Sequence, residues 1–214
     1  MGLSLESMAI EMPAVFGHPN RIGFRGVLTL VDVVSDRAPA GARGHRVMLA
    51  RKAAEAAIPS LLGMALDYSP RFDAHDTRRK IGLITRAEIV GREIAVGGFL
   101  YGRDFPEIVE EIGKTGPSRQ PSAISQQPSV IRTRSGSRGV SFTAGRNEPP
   151  HHANTKHAGD PGTQAVLGMS YEIADAVVED IKAAVWVLNK VTFTGAAVLR
   201  RDKAAYQSTW IELG

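Results

Sequence analysis

A fifty-residue stretch in the second half of the chain constrains the fold more than any other feature. Of residues 114–163, only nine are apolar, whereas six are proline, seven are serine and a single one, Phe142, is aromatic. Ordering a backbone costs about 1–2 kcal/mol per residue, and a segment with so little apolar area cannot offset that cost by burial. We therefore predict a disordered insertion at 114–163, so the folded domain must be built from the sequence on either side of it.

The insertion also carries the excess positive charge of the chain. It contains seven Lys or Arg against two Asp or Glu, a net charge of +5, whereas the whole chain of 214 residues carries +4. The remaining residues therefore sum to −1. Basic clusters such as 132–138 (RTRSGSR) contact nucleic-acid phosphates without sequence preference, although a flexible basic linker has the same composition. Nucleic acid is thus expected as a partner only through 114–163.

Several classes of protein are excluded by what the sequence lacks. The chain has no cysteine, which rules out disulfides, thiolate zinc sites and cysteine nucleophiles. No apolar run approaches the roughly 20 residues that span a bilayer. The first residues carry Glu6 and Glu11 instead of the basic start of a secretory signal. P-loop, dinucleotide-binding, zinc-protease and G-x-S-x-G motifs are absent as well. We expect a cytoplasmic protein with no membrane contact and no cofactor.

Three histidines of the insertion form the one cluster with metal-ligand spacing. His151, His152 and His157 lie in the run HHANTKH. Stable metal sites usually add ligands from ordered elements, and this run has none beside it in the sequence. We therefore predict no metal site.

Outside the insertion, alternating apolar residues predict a sheet. Ile22, Phe24, Leu28 and Leu30 share one phase of the alternation, as a half-buried strand requires. Five further strands are predicted, the first two joined as a hairpin by Gly91-Arg92-Glu93: 81–90, 94–100, 167–178, 183–198 and 208–213.

Helical spacing occurs in three places. The stretch 46–66 has apolar residues on one helical face and is expected to end or kink at Pro59. A second helix is predicted at 104–112 with Gly113 as its stop, and a short third one at 202–206. This pattern is typical of an α+β fold: an antiparallel-rich β-barrel or sheet with a few peripheral helices.

The predicted domain is therefore split by the insertion. An N-terminal arm at 1–19 precedes the first part of the domain at 20–113. The disordered insertion follows at 114–163, and 164–214 completes the same domain. A homo-oligomer is compatible with this organisation, and no fixed-period repeat is visible.

Two residues outside the insertion have the side chains needed for acid–base and nucleophilic chemistry. His75 lies between Asp73 and Asp76, just before a predicted strand, where a carboxylate could fix its tautomer for a role as general base. Ser170 lies in a predicted strand, and alternation places it on the same face as Glu172. A serine nucleophile needs a base within hydrogen-bond reach and donors for the oxyanion, which spacing alone does not reveal.

Short motifs follow one another in an order that supports a functional role for both His75 and Ser170. In chain order they are His75-Asp76, Ile81-Gly82, an acidic helix at 105–112 (FPEIVEEI), the strand 167–171 (LGMSY), and a strand containing Leu188, Val191, Thr192, Phe193, Ala196 and Ala197. In this order they resemble the prohead (capsid maturation) serine proteases of tailed phages, which are similar in fold to herpesvirus assemblins. The resemblance covers about 22–206 apart from the insertion.

The resemblance implies a serine protease with an assemblin-like fold. Ser170 would be the nucleophile and His75 the general base, with Arg200 and Arg201 near the oxyanion unless they are simply solvated surface arginines. The substrates and partners implied are the scaffold or major capsid proteins of a phage or prophage, and the enzyme itself. Cleavage would accompany virion assembly in the procapsid, within the bacterial cytoplasm.

The chain departs from the family pattern at the third catalytic position. Lys190 stands where the family strand has an acidic residue, and Tyr171 and Glu172 replace small residues after the nucleophile. A carboxylate that orients His75 could come from Asp73, Asp76 or Glu172, and no histidine follows Ser170. An active dyad, a relocated acid and an inactive assembly protein of the same fold all stay open, as does a basic-tailed nucleic-acid-binding module.

Overall fold

Nine strands pair into one curled, half-barrel sheet in the part of the chain that this computed structural model describes, residues 7–11, 17–115 and 166–214. The predicted insertion lies outside the described residues from 116 onward, together with its histidine cluster and its basic run. Most of the predicted N-terminal arm lies outside them as well. The described residues all belong to one compact unit.

The elements and their pairing confirm the predicted sheet-rich α+β class. The elements are β1 (Ser7–Ala9), β2 (Arg21–Leu30), β3 (Arg46–Leu49), α1 (Arg51–Ala57), a 3-10 turn (Ile58–Leu61), β4 (Ala65–Asp67), β5 (Lys80–Val90), β6 (Glu93–Tyr101), α2 (Pro106–Thr115), β7 (Leu167–Val178), β8 (Val185–Arg200) and β9 (Trp210–Leu213). The sheet runs in the order β3-β8-β4-β5-β6-β2-β9, while β1 pairs with β5 and β7 pairs with β8. Pairing is antiparallel except between β3 and β8 and between β4 and β8.

The stretch 46–66 does not form the single interrupted helix that its spacing predicts. It forms β3, α1, the 3-10 turn around Pro59 and β4. Val47 and Leu49 are buried because β3 pairs in parallel with β8. A strand of three or four residues covers about one helical turn, so its apolar pattern fits both the two-residue period of a strand and the 3.6-residue period of a helix. Pairing with other strands in the folded protein decides which of the two forms.

One predicted helix does not form, and the predicted end of another is wrong. Residues 202–206 form turns, anchored by the buried Tyr206, whose hydroxyl donates to the Val33 carbonyl oxygen at 3.1 Å. Helix α2 continues through Gly113 to Thr115. A glycine ends a helix when it turns left-handed, and Gly113 does not have a positive φ.

The two helices cover the sheet at separate places. Helix α1 packs against β8 and buries Ala53, Ala54 and Ala57, whereas α2 lies beside β9 and buries Ile108 and Ile112. Neither helix among the described residues has the length and apolar character needed to cross a bilayer.

Two adjacent glycines of β6 differ in how closely a neighbouring backbone approaches. A Cβ atom at Gly98 would overlap the carbonyl oxygen of Leu83 in β5, whereas one at Gly97 would lie 3.4 Å from the carbonyl oxygen of Phe24. Because the backbone at Leu83 cannot yield without separating β5 from β6, Gly98→Ala is expected to lower the free energy of unfolding by about 2–4 kcal/mol. Gly97→Ala is the matched control and should change it by less than about 1 kcal/mol. Urea unfolding of both variants would measure this, and equal effects would contradict it.

Candidate active site

Ser170 lies near the start of β7 on the face that alternation predicts. Its neighbours Met169 and Tyr171 point to the opposite face, where Met169 is buried and the ring of Tyr171 packs edge-on against Phe193 with 5.5 Å between ring centroids. Burial raises the pKa of Tyr171 to about 12, so its hydroxyl stays protonated. Ser170 itself is partly exposed on the other face.

The register of β8 brings Ser170 close to Asp67, a residue that the sequence did not single out. Ala197 of β8 is paired with Ser170 of β7 on one edge and with Asp67 of β4 on the other. Directly paired residues point to the same face of a sheet, and two strand spacings of about 4.8 Å separate the outer Cα atoms by roughly 10 Å. The small side chain of Ala197 leaves room above it for a ring that spans this gap.

The imidazole of His75 fills that gap. Its Nε2 atom lies 3.4 Å from Oγ of Ser170, and its Nδ1 atom lies 3.4 Å from Oδ1 of Asp67. Both contacts are longer than the roughly 2.6–3.2 Å of an engaged nucleophile and base, and such contacts tighten in the reacting complex. Nδ1 is buried and has no hydrogen bond of regular geometry among the described residues. The three side chains therefore form a serine–histidine–aspartate array that is aligned but loose.

The loop at 68–79, which carries His75, is tied to the ends of the strands around it. The backbone N–H of Arg200, at the end of β8, donates to the carbonyl oxygen of Phe72 at 2.8 Å. Phe72 has a φ of 52°, a left-handed conformation that costs a non-glycine residue about 1–2 kcal/mol. Ser69 bonds the carboxylate of Asp73 at 2.8 Å, and this hydrogen bond lowers the pKa of Asp73. The loop is thus held in a specific, partly strained shape.

Asp67 is fully buried yet kept ionised. Its side chain is 0% exposed, with Nζ of Lys80 3.3 Å from Oδ2 and the backbone N–H of Asp76 donating to Oδ1 at 3.3 Å. Burial raises the pKa of Asp67, but its contacts with His75 and Lys80 together outweigh burial and hold that pKa below its usual range. A charged carboxylate beside Nδ1 favours the tautomer with the proton on Nδ1. The lone pair of Nε2 then faces the hydroxyl of Ser170.

Removing the Lys80 charge is expected to lower the free energy of unfolding at neutral pH and to make it less dependent on pH in the acid range. The pKa of Asp67 is lower in the folded than in the unfolded state, so its contribution to stability is present above the unfolded value and is lost as the pH falls through the folded value. Lys80→Met removes one cause of the lowering and brings the folded and unfolded pKa values of Asp67 closer together, so the loss of stability relative to the wild type should be largest at pH 7 and should shrink as the pH falls. The loss at neutral pH should be about 1 kcal/mol, because the Lys80 side chain is 41% exposed and water can take its place.

Urea unfolding at pH 7 and pH 4 would measure this difference. Lys182→Met, which removes the same charge from an exposed turn, is the control. The expectation fails if the two variants lose stability in parallel as the pH is lowered.

Glu172 is a second carboxylate beside the imidazole. Its Oε1 atom lies 3.9 Å from Nδ1 of His75, and its side chain is 46% exposed, in contrast to the fully buried Asp67. The carboxylate lies over Gly195, where a Cβ atom would come within 2.8 Å of Oε2. Of the two carboxylates, Asp67 is the closer and the more firmly held.

The other two candidate carboxylates are engaged elsewhere. Asp73 accepts from Ser69 and faces Arg71 at 3.2 Å. The carboxylate of Asp76 accepts the backbone N–H of Arg78 at 3.1 Å and pairs with the guanidinium groups of Arg78 and Arg79. Asp76 contributes its backbone N–H, not its carboxylate, to the array.

Lys190 lies far from the array. It pairs with Val177 in the outer part of the β7–β8 hairpin. Seven residues of strand separate it from Ala197, or about 23 Å at the usual rise per residue. The absence of an acid at this position therefore does not leave His75 without a carboxylate.

Arg200 and Arg201 are committed to other partners. The Arg200 guanidinium bonds Asp202 at 2.9 and 2.8 Å, and the Nε atom of Arg201 donates to the Thr209 carbonyl oxygen at 2.8 Å. Their backbone N–H groups donate to the carbonyl oxygens of Phe72 and Val166. An oxyanion role for either arginine would require these contacts to rearrange, so it stays a prediction.

No group of three or more potential metal ligands occurs in residues 7–11, 17–115 and 166–214. Comparison with known proteins gives no relative: no family model matches the chain, and no curated protein or solved structure does. The chemistry must be inferred from the array itself.

Proposed function

We propose that this protein is a serine endopeptidase with Ser170 as nucleophile, His75 as general base and Asp67 as the carboxylate that orients the imidazole. The observation that carries the proposal is the alignment of the three side chains, with 3.4 Å from Oγ to Nε2 and 3.4 Å from Nδ1 to Oδ1. A nucleophile, a base and a third group that orients the base are the features by which such sites are recognised.

The chemistry follows from the roles of these atoms. Oγ of Ser170 attacks the carbonyl carbon of the scissile amide while Nε2 of His75 takes the hydroxyl proton, and the positive imidazole is stabilised by Asp67. Nε2 then protonates the departing amine nitrogen as the carbon–nitrogen bond breaks, which leaves an acyl group on Oγ. Water attacks this ester with Nε2 as its base, releasing the acid and restoring the serine.

The order of the sequence motifs supports a biological context. The resemblance to phage prohead proteases implies that the substrates are scaffold or major capsid proteins, and the protease itself, during head assembly. We propose this as the role of the chain. The position of the insertion, which ends just before β7, makes it a candidate for the self-cleaved segment.

Two experiments test the activity, one on the purified chain and one by co-expression in cells. Intact mass after exposure to diisopropyl fluorophosphate should show one added diisopropylphosphoryl group on the wild type and none on Ser170→Ala. Co-expression with candidate scaffold and major capsid proteins should give shortened products with the wild type only.

The alternatives predict different results. An inactive assembly protein of the same fold would bind capsid components and leave them intact, and Ser170→Ala would change nothing. A protein that neither reacts with the fluorophosphate nor shortens any partner is not a protease of this kind.

A further inference from the structure

Glu172 lies beside the array of Ser170, His75 and Asp67 but has no structural role in it. Asp67 already orients His75 from a buried and firmly held position, so Nδ1 does not need a second carboxylate. Among the described residues, Glu172 has no ion pair with a lysine or arginine, and its contact at 3.9 Å is with the imidazole of His75, whose neutral form is the one that acts as a base. A neutral imidazole does not balance the negative charge of this exposed carboxylate.

The position of Glu172 relative to Ser170 places this charge where a substrate must pass. The two residues lie on the same face of β7, two positions apart, or about 7 Å along the strand. Gly195 lies beneath the Glu172 carboxylate and leaves the space that it occupies. With nearly half of its side chain exposed, the carboxylate can be covered by a substrate side chain that reaches it from the scissile bond.

We propose that Glu172 is a specificity-determining residue that binds a lysine or arginine of the substrate within three residues of the scissile bond. The inference rests on the proposed protease activity and names its substrate class: peptides with a basic residue beside the cleaved bond. A hydrogen bond to a charged group that is desolvated on binding should favour such substrates by about 10- to 100-fold in kcat/KM over neutral ones.

A peptide mixture with many sequences tests this, because it offers both basic and acidic residues on both sides of a potential cleavage site. Proteome-derived peptides prepared by cleavage after aromatic residues retain internal lysine, arginine, aspartate and glutamate. They are incubated with the purified full-length wild type, Glu172→Gln or Glu172→Lys, and the new termini are identified by mass spectrometry. Cuts made by Ser170→Ala under the same conditions are subtracted. Selectivity is a ratio between peptides, so an effect of the variants on the imidazole that slows all peptides equally cancels.

Two further variants separate charge from position. Glu179→Gln removes the same charge from an exposed site in the β7–β8 turn and should keep the wild-type preference. Gly195→Ala keeps the Glu172 charge but displaces its carboxylate, because the new Cβ would meet Oε2 at 2.8 Å. It should weaken the basic preference by about 3- to 10-fold, between the wild type and Glu172→Gln.

The outcomes distinguish the two proposals. A basic residue enriched at one position in wild-type cuts, lost in Glu172→Gln and replaced by acidic residues in Glu172→Lys, supports the inference. Ser170-dependent cuts with no basic preference, or with one that Glu172→Gln retains, overturn this inference and leave the protease activity standing. The absence of any Ser170-dependent cut overturns the proposed function and this inference with it.

Discussion

Replacing Ser170 by alanine is expected to lower kcat by about four to six orders of magnitude. The alanine has no atom that can attack a carbonyl carbon, and only binding and any oxyanion contacts are left to accelerate the reaction. His75→Gln should cause a loss of similar size, since the hydroxyl of Ser170 is a weak nucleophile without a base. The double variant should be no slower than either single one, because the two residues act as a unit.

The rate of hydrolysis of a peptide cut by the wild type measures this loss, with urea unfolding to check the fold. Ser208→Ala is the matched control, since Ser208 is an exposed serine near the start of β9. A Ser170→Ala chain that still cleaves within tenfold of the wild-type rate would remove Ser170 from the mechanism.

Replacing Asp67 by asparagine is expected to lower kcat by about 10⁴-fold. The asparagine amide can donate to Nδ1, which favours the tautomer with its proton on Nε2, facing Ser170, where it cannot accept the hydroxyl proton. The neutral amide also fails to stabilise the positive imidazole as the proton is transferred. Stability should fall by about 1–3 kcal/mol, because the contacts of Asp67 with Lys80 and with the Asp76 N–H are weakened.

Measuring kcat of Asp67→Asn and Asp73→Asn on the same peptide tests whether Asp67 is the carboxylate that orients His75. Asp73→Asn changes a carboxylate in the loop that carries His75 and should cost less than about tenfold, since Asp73 bonds Ser69 and Arg71. If the Asp67 variant loses no more activity than the Asp73 variant, Asp67 does not orient the catalytic base.

Most of the sheet could be predicted because long strands have long alternating patterns. The hairpin of β5 and β6, joined at Gly91 with its φ of 61°, and the strands β7 to β9 follow the sequence within a few residues. The short strands β3 and β4 could not be separated from α1, because three or four residues fit either period. Their pairing with β8 is a contact between residues more than a hundred positions apart.

The residues of the candidate site also fall into those that the sequence predicted and one that it did not. Residue chemistry and motif order pointed to Ser170 and His75, and alternation placed Glu172 on the face of Ser170. Asp67 carries no local pattern: it is the last residue of a three-residue strand and directly follows the stretch 46–66, which has helical spacing. The candidates offered instead, Asp73 and Asp76, are close to His75 in sequence, but their carboxylates bond other groups.

The sequence alone determined the sheet-rich class, the face of β7 that carries Ser170, and the location of the excess charge in 114–163, because these depend on composition and on periods of two residues. Only the tertiary structure decided which acid faces His75. That choice depends on the register of β8, which pairs Ala197 with Ser170 on one edge and with Asp67 on the other. Register is a long-range property, since it joins parts of the chain that no local pattern connects.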